Sequence, residues 1–145
     1  MNTSRVLIVE DQILIALDLE AALLEAGFEI CGIAASQPEA LRIAAATGPS
    51  FAVVDVQLSP GDGRIVGREL ARRYGTAVLM ATSCNREIEI LVATGALTCL
   101  PKPFDSRDVP AALRRIAALR DGRRGPGPRL LPHTSGAGQL DPLSA

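Results

Sequence analysis

The fold of this chain is decided by the stretch Phe51-Ala52-Val53-Val54-Asp55, four apolar residues followed by one carboxylate. The run is short, contains β-branched residues, and lies between Gly48-Pro49 and Pro60-Gly61, which predicts a strand buried on both faces. Asp55 then stands at the carboxyl edge of a sheet. In open α/β sheets ligands bind at that edge, so Asp55 is a candidate site residue and not only the start of a surface turn.

Further apolar runs alternate with segments of helical periodicity along the rest of the chain. Besides residues 51–55, the predicted strands cover residues 5–9, 29–34, 77–81 and 97–100. The predicted helices cover residues 12–26, 37–46, 64–74, 86–94 and 106–119. Strands that alternate with helices demand right-handed crossovers. The sequence therefore predicts a doubly wound α/β fold, a five-stranded parallel sheet with helices on both faces.

Spacing and capping signals mark individual helices. The first is predicted to be amphipathic because its apolar residues recur at three- and four-residue steps. These residues are Ile13, Leu14, Leu17, Ala21 and Leu24. Ser36 and Glu39 form a capping-box pattern before the second helix, with Pro38 in its first turn. Pro110 predicts an irregularity in the first turns of the last helix.

Length and composition predict one domain followed by a tail. A chain of 145 residues suggests a single domain, and 48% hydrophobic residues without any Trp predict an aliphatic core. From Gly122 onward Gly, Pro, Ser and polar residues dominate, and periodicity vanishes. We assign residues 1–120 to the folded domain and expect residues 121–145 to form a disordered, Gly/Pro-rich tail.

The chain lacks the sequence signals of a membrane or secreted protein. It contains no run of about 18 or more apolar residues, and its first residues lead into a strand instead of a signal-peptide apolar region. Cys31, Cys84 and Cys99 are odd in number and far apart, which predicts reduced structural thiols rather than a zinc site or a disulfide. We expect a cytoplasmic protein without membrane contact.

Charge is spread unevenly along the chain. Residues 1–105 carry 8 basic and 13 acidic side chains, whereas residues 106–145 carry 7 basic and 3 acidic ones. Such asymmetry occurs in nucleic-acid-binding tails, whose affinity falls steeply with salt. Here the arginines are dispersed and no aromatic residue is interleaved for base stacking. A solvated helix face is the better interpretation, and nucleic acid is not an expected partner.

Residues whose side chains can bind ligands or take part in reactions lie at the ends of four of the five predicted strands. They are Glu10 and Asp11, Asp55, Thr82, and Lys102. Neighbouring parallel strands lie about 4.8 Å apart, so these side chains are expected to reach a common small ligand. Crowded carboxylates are tolerable when a divalent cation neutralises them, and hard oxygen ligands suit Mg²⁺ or Mn²⁺. Thr82 offers a hydroxyl donor, and Lys102 a positive charge for anionic oxygens.

Lys102 is the only lysine among 15 basic residues, and it lies between Pro101 and Pro103. Together with the carboxylates, this lysine predicts a phosphoryl-transfer site in which an aspartate is the nucleophile. The chain has no G-x-x-x-x-G-K-[ST] loop and no G-x-G-x-x-G after its first strand. Nucleotide hydrolysis of the P-loop kind and dinucleotide or flavin binding are therefore disfavoured.

Four motifs in order carry a family resemblance: VLIVED at residues 6–11, VVD at 53–55, LMAT at 79–82 and PKPF at 101–104. Together they resemble the receiver domain of two-component response regulators, here as a stand-alone single-domain type. The resemblance covers about residues 4–120 and implies a flavodoxin-like strand order, 2-1-3-4-5. It also implies that Asp55 accepts a phosphoryl group from a sensor histidine kinase or a phosphotransfer protein in a Mg²⁺-dependent reaction.

The resemblance assigns roles to the site residues. The implied metal ligands are Asp11, Asp55, the backbone carbonyl of Gln57, and Glu10 acting mainly through water. Thr82 and Lys102 would hold the phosphoryl oxygens of the activated state. The chain would be a phosphoacceptor that could also lose its own phosphate, and not an enzyme. Gln57 and Cys84 occupy positions that influence access of the hydrolytic water.

Phosphorylation would switch a protein-interaction surface formed by the predicted helix at residues 86–94, the fifth strand and the last helix. We expect a downstream protein partner or a second copy of the chain to bind there. The chain departs from the family at Cys99, where an aromatic residue usually stands, and at Pro60, which is displaced by one position. Cys99 favours an alternative, a phosphorylation-independent interaction scaffold. A metal-dependent phosphatase with an aspartyl intermediate usually has a second acid two residues after the nucleophile, where this chain has Gln57, so that function is disfavoured.

Overall fold

The computed structural model describes residues 4–82 and 98–122. Its strands in these ranges are β1 (Arg5–Val9), β2 (Glu29–Ala34), β3 (Phe51–Asp55), β4 (Ala77–Thr82) and β5 (Thr98–Pro101). Its helices there are α1 (Ile13–Glu25), α2 (Gln37–Thr47), α3 (Gly63–Tyr74) and α4 (Val109–Gly122), with a 3₁₀ turn at Ser106–Asp108. The strands form one parallel sheet in the order β2-β1-β3-β4-β5, which confirms the predicted fold.

Most predicted boundaries lie within two residues of the observed ones. The irregularity predicted from Pro110 takes the form of the 3₁₀ turn that precedes α4. Helix α4 ends at Gly122, so the first two residues assigned to the tail are helical. The predicted helix at residues 86–94, Cys84 and the rest of the tail lie outside the described residues. Cys31 and Cys99 are free thiols.

Alternating side chains of the sheet form two apolar layers, one on each face. Toward α2 and α3 the strands β1, β3 and β4 contribute Leu7, Val9, Ala52, Val54, Val78 and Met80, which meet Ala40, Ala44, Val66 and Leu70. Toward α1 and α4 they contribute Val6, Ile8, Phe51, Val53, Ala77 and Leu79, which meet Ala16, Leu19, Leu23, Val109, Leu113 and Ile116. Because both faces are covered, the strands read as continuous apolar runs.

Helix α1 exists as predicted, but the apolar stripe that predicted it does not face the sheet. Leu14 is 78% exposed, and Ile13, Leu17, Ala21 and Leu24 are also exposed. The residues that pack on the sheet are Ala16, Leu19 and Leu23. These also follow a helical spacing, so α1 is apolar around most of its circumference, and periodicity by itself does not select the buried face.

The start of α2 contains one of the two hydrogen bonds of the predicted capping box. Ser36 Oγ accepts a hydrogen bond from the Glu39 N–H at 3.3 Å, as a capping box requires. Glu39 Oε1 accepts from the N–H of Ala35, at 2.9 Å, rather than from that of Ser36. Among residues 4–82 and 98–122, no helix is both long and apolar enough to cross a membrane.

Candidate functional site

The site residues lie at the carboxyl edge of the sheet because hydrogen bonding between strands continues one residue past the strand ends. The Glu10 N–H donates to the Ala34 carbonyl beyond β1, and the Lys102 N–H donates to the Thr82 carbonyl beyond β5, both at 2.9 Å. Strand β3 lies between β1 and β4. Asp55, its last residue, is therefore flanked by the ends of both neighbours.

Asp55 is buried, with 4% of its surface exposed, and each of its carboxylate oxygens has a partner. Oδ1 accepts a hydrogen bond from the backbone N–H of Gln57 at 3.0 Å. Oδ2 accepts one from Lys102 Nζ at 3.1 Å. A buried carboxylate held by two donors has a fixed orientation, which is what an in-line nucleophile needs.

Lys102 reaches Asp55 across an intervening strand. Strand β5 pairs with β4 and not with β3, so its end lies two strand spacings, about 10 Å, from β3. The four-carbon stem of the lysine spans this gap and brings a compact ammonium to the carboxylate. Its side chain keeps 24% exposure, so the ion pair remains accessible from solvent.

Three carboxylates form the centre of the site. Glu10, Asp11 and Asp55 each place one carboxylate oxygen within 4.8 Å of the other two. When all are ionised, these groups and the Lys102 ammonium carry a net charge of −2. The cluster thus has the hard oxygen donors, the spacing and the charge that suit a small divalent cation such as Mg²⁺ or Mn²⁺.

Burial changes the acidity of the Glu10 carboxyl group. Only 4% of its surface is exposed, and this desolvation raises the pKa of Glu10 from 4.5 to about 7. The Gln12 N–H, which donates to Glu10 Oε2 at 3.1 Å, and the Lys102 charge both lower that pKa, whereas the Asp55 charge raises it further. Near neutral pH a cation that binds here therefore competes with a proton on Glu10.

The remaining predicted residues surround this cluster. Thr82 ends β4 and is buried beside the Asp55 strand end. Gln57 follows Asp55 in the loop, and its side chain is exposed. Within the described residues, the structure thus brings Glu10, Asp11, Asp55, Gln57, Thr82 and Lys102 to one sheet edge, and their individual roles stay predictions.

Cys99 fills the position where the receiver pattern has an aromatic residue. Its thiol is buried in the layer that faces α2 and α3, and burial raises the pKa of Cys99 to about 11. A small, protonated core thiol has no ring that could swing between two orientations. The described part of the chain therefore offers no aromatic switch at this position.

Two residues that hold the loop after β3 were not identified from the sequence as site residues. Asp62 caps α3 by accepting a hydrogen bond from the Arg64 N–H at 2.9 Å. Its own N–H donates to Gln37 Oε1 at 3.0 Å. The Asp-Gly pair before the helical pattern is a capping signal that could have identified Asp62. No local signal points to Gln37, because the contact joins residues 25 positions apart.

Helix α3 begins against the backbone at the end of β3. The Gly63 N–H donates to the Val56 carbonyl at 2.9 Å, and a Cβ on Gly63 would overlap the carbonyl of Asp55. Only glycine permits this close approach. The start of α3 is therefore packed directly against the strand end that presents the carboxylate.

A groove of about 620 Å³ opens beside the ion pair, between α1 and the segment that follows β5. It reaches Lys102 and is lined by Leu14, Asp18, Phe104 and Ser106, among others. Ser106 Oγ donates to Asp18 Oδ2 at 2.8 Å and ties the two walls together. The groove is mostly apolar and ends at Lys102, the residue that pairs with Asp55.

Comparison with known proteins identifies the family that shares this fold. The model of the response regulator receiver domain family matches residues 6–114. The transcriptional regulatory protein PdtaR of Mycobacterium tuberculosis is 34% identical over 120 residues, which cover 81% of this chain and 58% of that protein. The chain therefore spans little more than half the length of this curated relative.

Two solved structures show the same fold. The chemotaxis protein CheY4 of Vibrio cholerae has a TM-score of 0.70 at 28% identity, covering 79% of this chain and 99% of that one. A CheY-like receiver domain protein of Methanospirillum hungatei has a TM-score of 0.73 at 22% identity, covering 84% and 100%. With the family match over residues 6–114, these findings establish that the chain belongs to the response regulator receiver domain family of two-component systems.

Proposed function

We propose that this chain is a phosphoacceptor whose Asp55 receives a phosphoryl group from the phosphohistidine of a sensor histidine kinase or a phosphotransfer protein. The observation that carries the proposal is the environment of Asp55. It is a buried carboxylate at a strand end, 3.1 Å from an ammonium and clustered with two further carboxylates. A structural aspartate in a turn does not need this combination.

The proposed reaction forms one bond and breaks one. A carboxylate oxygen of Asp55 bonds to phosphorus while the bond between phosphorus and the donor's imidazole nitrogen breaks, and the electron pair of that bond stays with the nitrogen. Lys102 then exchanges its contact with the free carboxylate for one with the phosphoryl oxygens. We expect the Thr82 hydroxyl, at the neighbouring strand end, to donate to the same oxygens.

Asp11, Asp55 and Glu10 would hold Mg²⁺ or Mn²⁺, with the Gln57 carbonyl as a further ligand. When bound, the cation supplies charge neutralisation for the phosphoryl oxygens that approach Asp55. The donor set, the 4.8 Å spacing and the net negative charge support the assignment.

Phosphorylation replaces the single negative charge of the Asp55 carboxylate by a phosphoryl group that carries about −1.5 to −2, so the sheet edge becomes more negative by about 0.5 to 1 charge. Lys102 follows β5 directly, and Thr82 ends the adjacent strand, so their movement toward the phosphoryl group shifts β5 and the start of α4. The proposed output surface consists of β5, α4 and residues 86–94. It would bind a downstream protein or a second copy of the chain. The proposal includes a cytoplasmic location, where reduced cysteines such as Cys31 and Cys99 persist.

The test is incubation with Mg²⁺ and acetyl phosphate, followed by intact mass spectrometry. Wild type should gain one phosphoryl group, and removal of Mg²⁺ with EDTA should abolish the gain. Asp55→Asn should gain none. Asp18→Asn is the matched control, because Asp18 is an exposed aspartate on α1 and its oxygen can still accept from Ser106 after the change. This variant should be modified like wild type.

A second candidate, a scaffold that binds its partner regardless of phosphate, is favoured by the buried Cys99 in place of an aromatic residue. Absence of an adduct on wild type, together with failure to bind a beryllofluoride phosphate mimic, would reject phosphoacceptance and leave the scaffold. An adduct that persists in Asp55→Asn would place the acceptor elsewhere and also contradict the proposal.

A further inference from the structure

The loop after β3 is fastened to the first residue of α2. Gln37 Oε1 accepts a hydrogen bond from the Asp62 N–H at 3.0 Å, and the Gln37 N–H donates to the Pro60 carbonyl at 3.1 Å. Between these two bonds lies Gly61, with φ of 118°, and a Cβ on Gly61 would overlap the Gln37 side chain. One half-buried glutamine thus makes hydrogen bonds to the loop on both sides of Gly61.

This attachment leads to the Asp55 carboxylate in two further contacts. Asp62 forms an antiparallel bridge with Gln57 across the loop. The Gln57 N–H in turn donates to Asp55 Oδ1 at 3.0 Å. No hydrogen bond joins Gln37 directly to Glu10, Asp11 or Asp55, so we expect any effect on the acid cluster to pass through the loop.

The second carboxylate oxygen has a separate anchor. Asp55 Oδ2 is paired with Lys102, on the opposite side of the loop contact. The rotation of the carboxylate is therefore set by two supports, the lysine on one oxygen and the loop on the other. Loosening the loop leaves Oδ1 with a less well placed donor and widens the range of orientations that the carboxylate adopts.

We infer that Gln37 is a positioning residue for the phosphoacceptor and its metal site, acting through the bridge between Asp62 and Gln57. The inference rests on the proposed function for its biological meaning, but its physical content is a claim about carboxylate orientation and metal affinity. The acceptor oxygen of the glutamine amide is the group that matters, and the bulk of the side chain is not sufficient.

The experiment compares two substitutions that keep the length of the side chain. Gln37→Met removes the acceptor oxygen and retains the shape, whereas Gln37→Glu retains an acceptor oxygen at the same reach. Mn²⁺ binding to the unphosphorylated full chain is measured by electron paramagnetic resonance of the free ion. We expect Gln37→Met to raise the Kd for Mn²⁺ about fivefold, equivalent to one lost hydrogen bond, and Gln37→Glu to restore it to within about twofold of wild type.

A matched control separates positioning from general weakening of α2. Glu39→Gln alters the same helix start, where Glu39 accepts from Ala35, but neither the hydrogen bonds nor the ion pair of Glu39 in this structure involve the loop after β3. It should leave the Kd unchanged. Exchange of the Asp62 amide proton, measured by NMR in EDTA, gives a readout that needs no metal. It should accelerate in Gln37→Met and recover in Gln37→Glu.

Equal Mn²⁺ affinity for wild type and Gln37→Met would overturn the inference, as would an equal loss in Glu39→Gln. No Mn²⁺ binding by wild type would overturn it as well. If Mn²⁺ binding shows the expected dependence on Gln37 but acetyl phosphate leaves no adduct on Asp55, the positioning role stands and the proposed function fails.

Discussion

Replacing Glu10 by glutamine should stabilise the metal-free protein, although Glu10 lies in the proposed metal site. Glu10 is 4% exposed, and burial raises its pKa from 4.5 to about 7. Glutamine has the same size and keeps an oxygen that can accept the Gln12 N–H. The substitution therefore removes the cost of a buried charge without opening a cavity.

The pKa shift of Glu10 sets both the size of the expected gain in the free energy of unfolding and the pH range in which it appears. Because the folded-state pKa lies above the unfolded value, the folded protein holds more protons between pH 4.5 and about 7, and its stability falls as pH rises through this window. At about 1.4 kcal/mol per unit, the full penalty at pH 8 is about 3 kcal/mol, and at pH 5 it is below about 1 kcal/mol. Glu10→Gln should recover these amounts.

The assay is urea unfolding followed by far-UV circular dichroism in EDTA, at about pH 5 and pH 8. Glu29→Gln, at an exposed position of β2, is the matched control and should change stability little at either pH. Added Mg²⁺ should reverse the order at pH 8, because wild type gains more from the cation than the variant. A variant that is less stable than wild type in EDTA at pH 8, or a gain that does not depend on pH, would refute the reasoning.

Two further predictions test packing and charge. Leu19 is 1% exposed and packs against the sheet, so Leu19→Ala should lower the free energy of unfolding in urea by about 2–5 kcal/mol. Leu14 is 78% exposed, so Leu14→Ala should lower it by less than about 0.5 kcal/mol. Equal losses for the two variants would mean that the orientation of α1 is wrong. Lys102→Met removes the ammonium from Asp55, so Mn²⁺ should bind more tightly while the rate of phosphorylation by acetyl phosphate falls about a hundredfold; an unchanged rate would exclude Lys102 from the reaction.

Much of the site was predictable because it depends on short-range order. An apolar run that ends in a polar residue identifies a strand and the residue at its end, and parallel strands bring such ends to one edge. Glu10, Asp11, Asp55 and Lys102 were found in this way, and the structure brings their charged groups together. This inference from strand ends needs no knowledge of the contacts between helices and loops.

The predictions failed or stopped where a contact joins distant parts of the chain. Helix α1 carries apolar residues on nearly every side, so only its packing on the sheet decides that Leu19 is buried and Leu14 is exposed. The anchor from Gln37 to Asp62 spans 25 positions and leaves no periodic trace in the sequence. The elevated pKa of Glu10 likewise requires the burial that neighbouring strands supply.

The sequence by itself determined the order of strands and helices and the residues at the carboxyl edge of the sheet, because periodicity, turn residues and polar strand ends are local properties. Tertiary structure alone decided which side of α1 faces the sheet, how the loop after Asp55 is held, and that the pKa of Glu10 is raised. Those features depend on desolvation and on hydrogen bonds between residues far apart in the chain, and these arise only when the elements pack together.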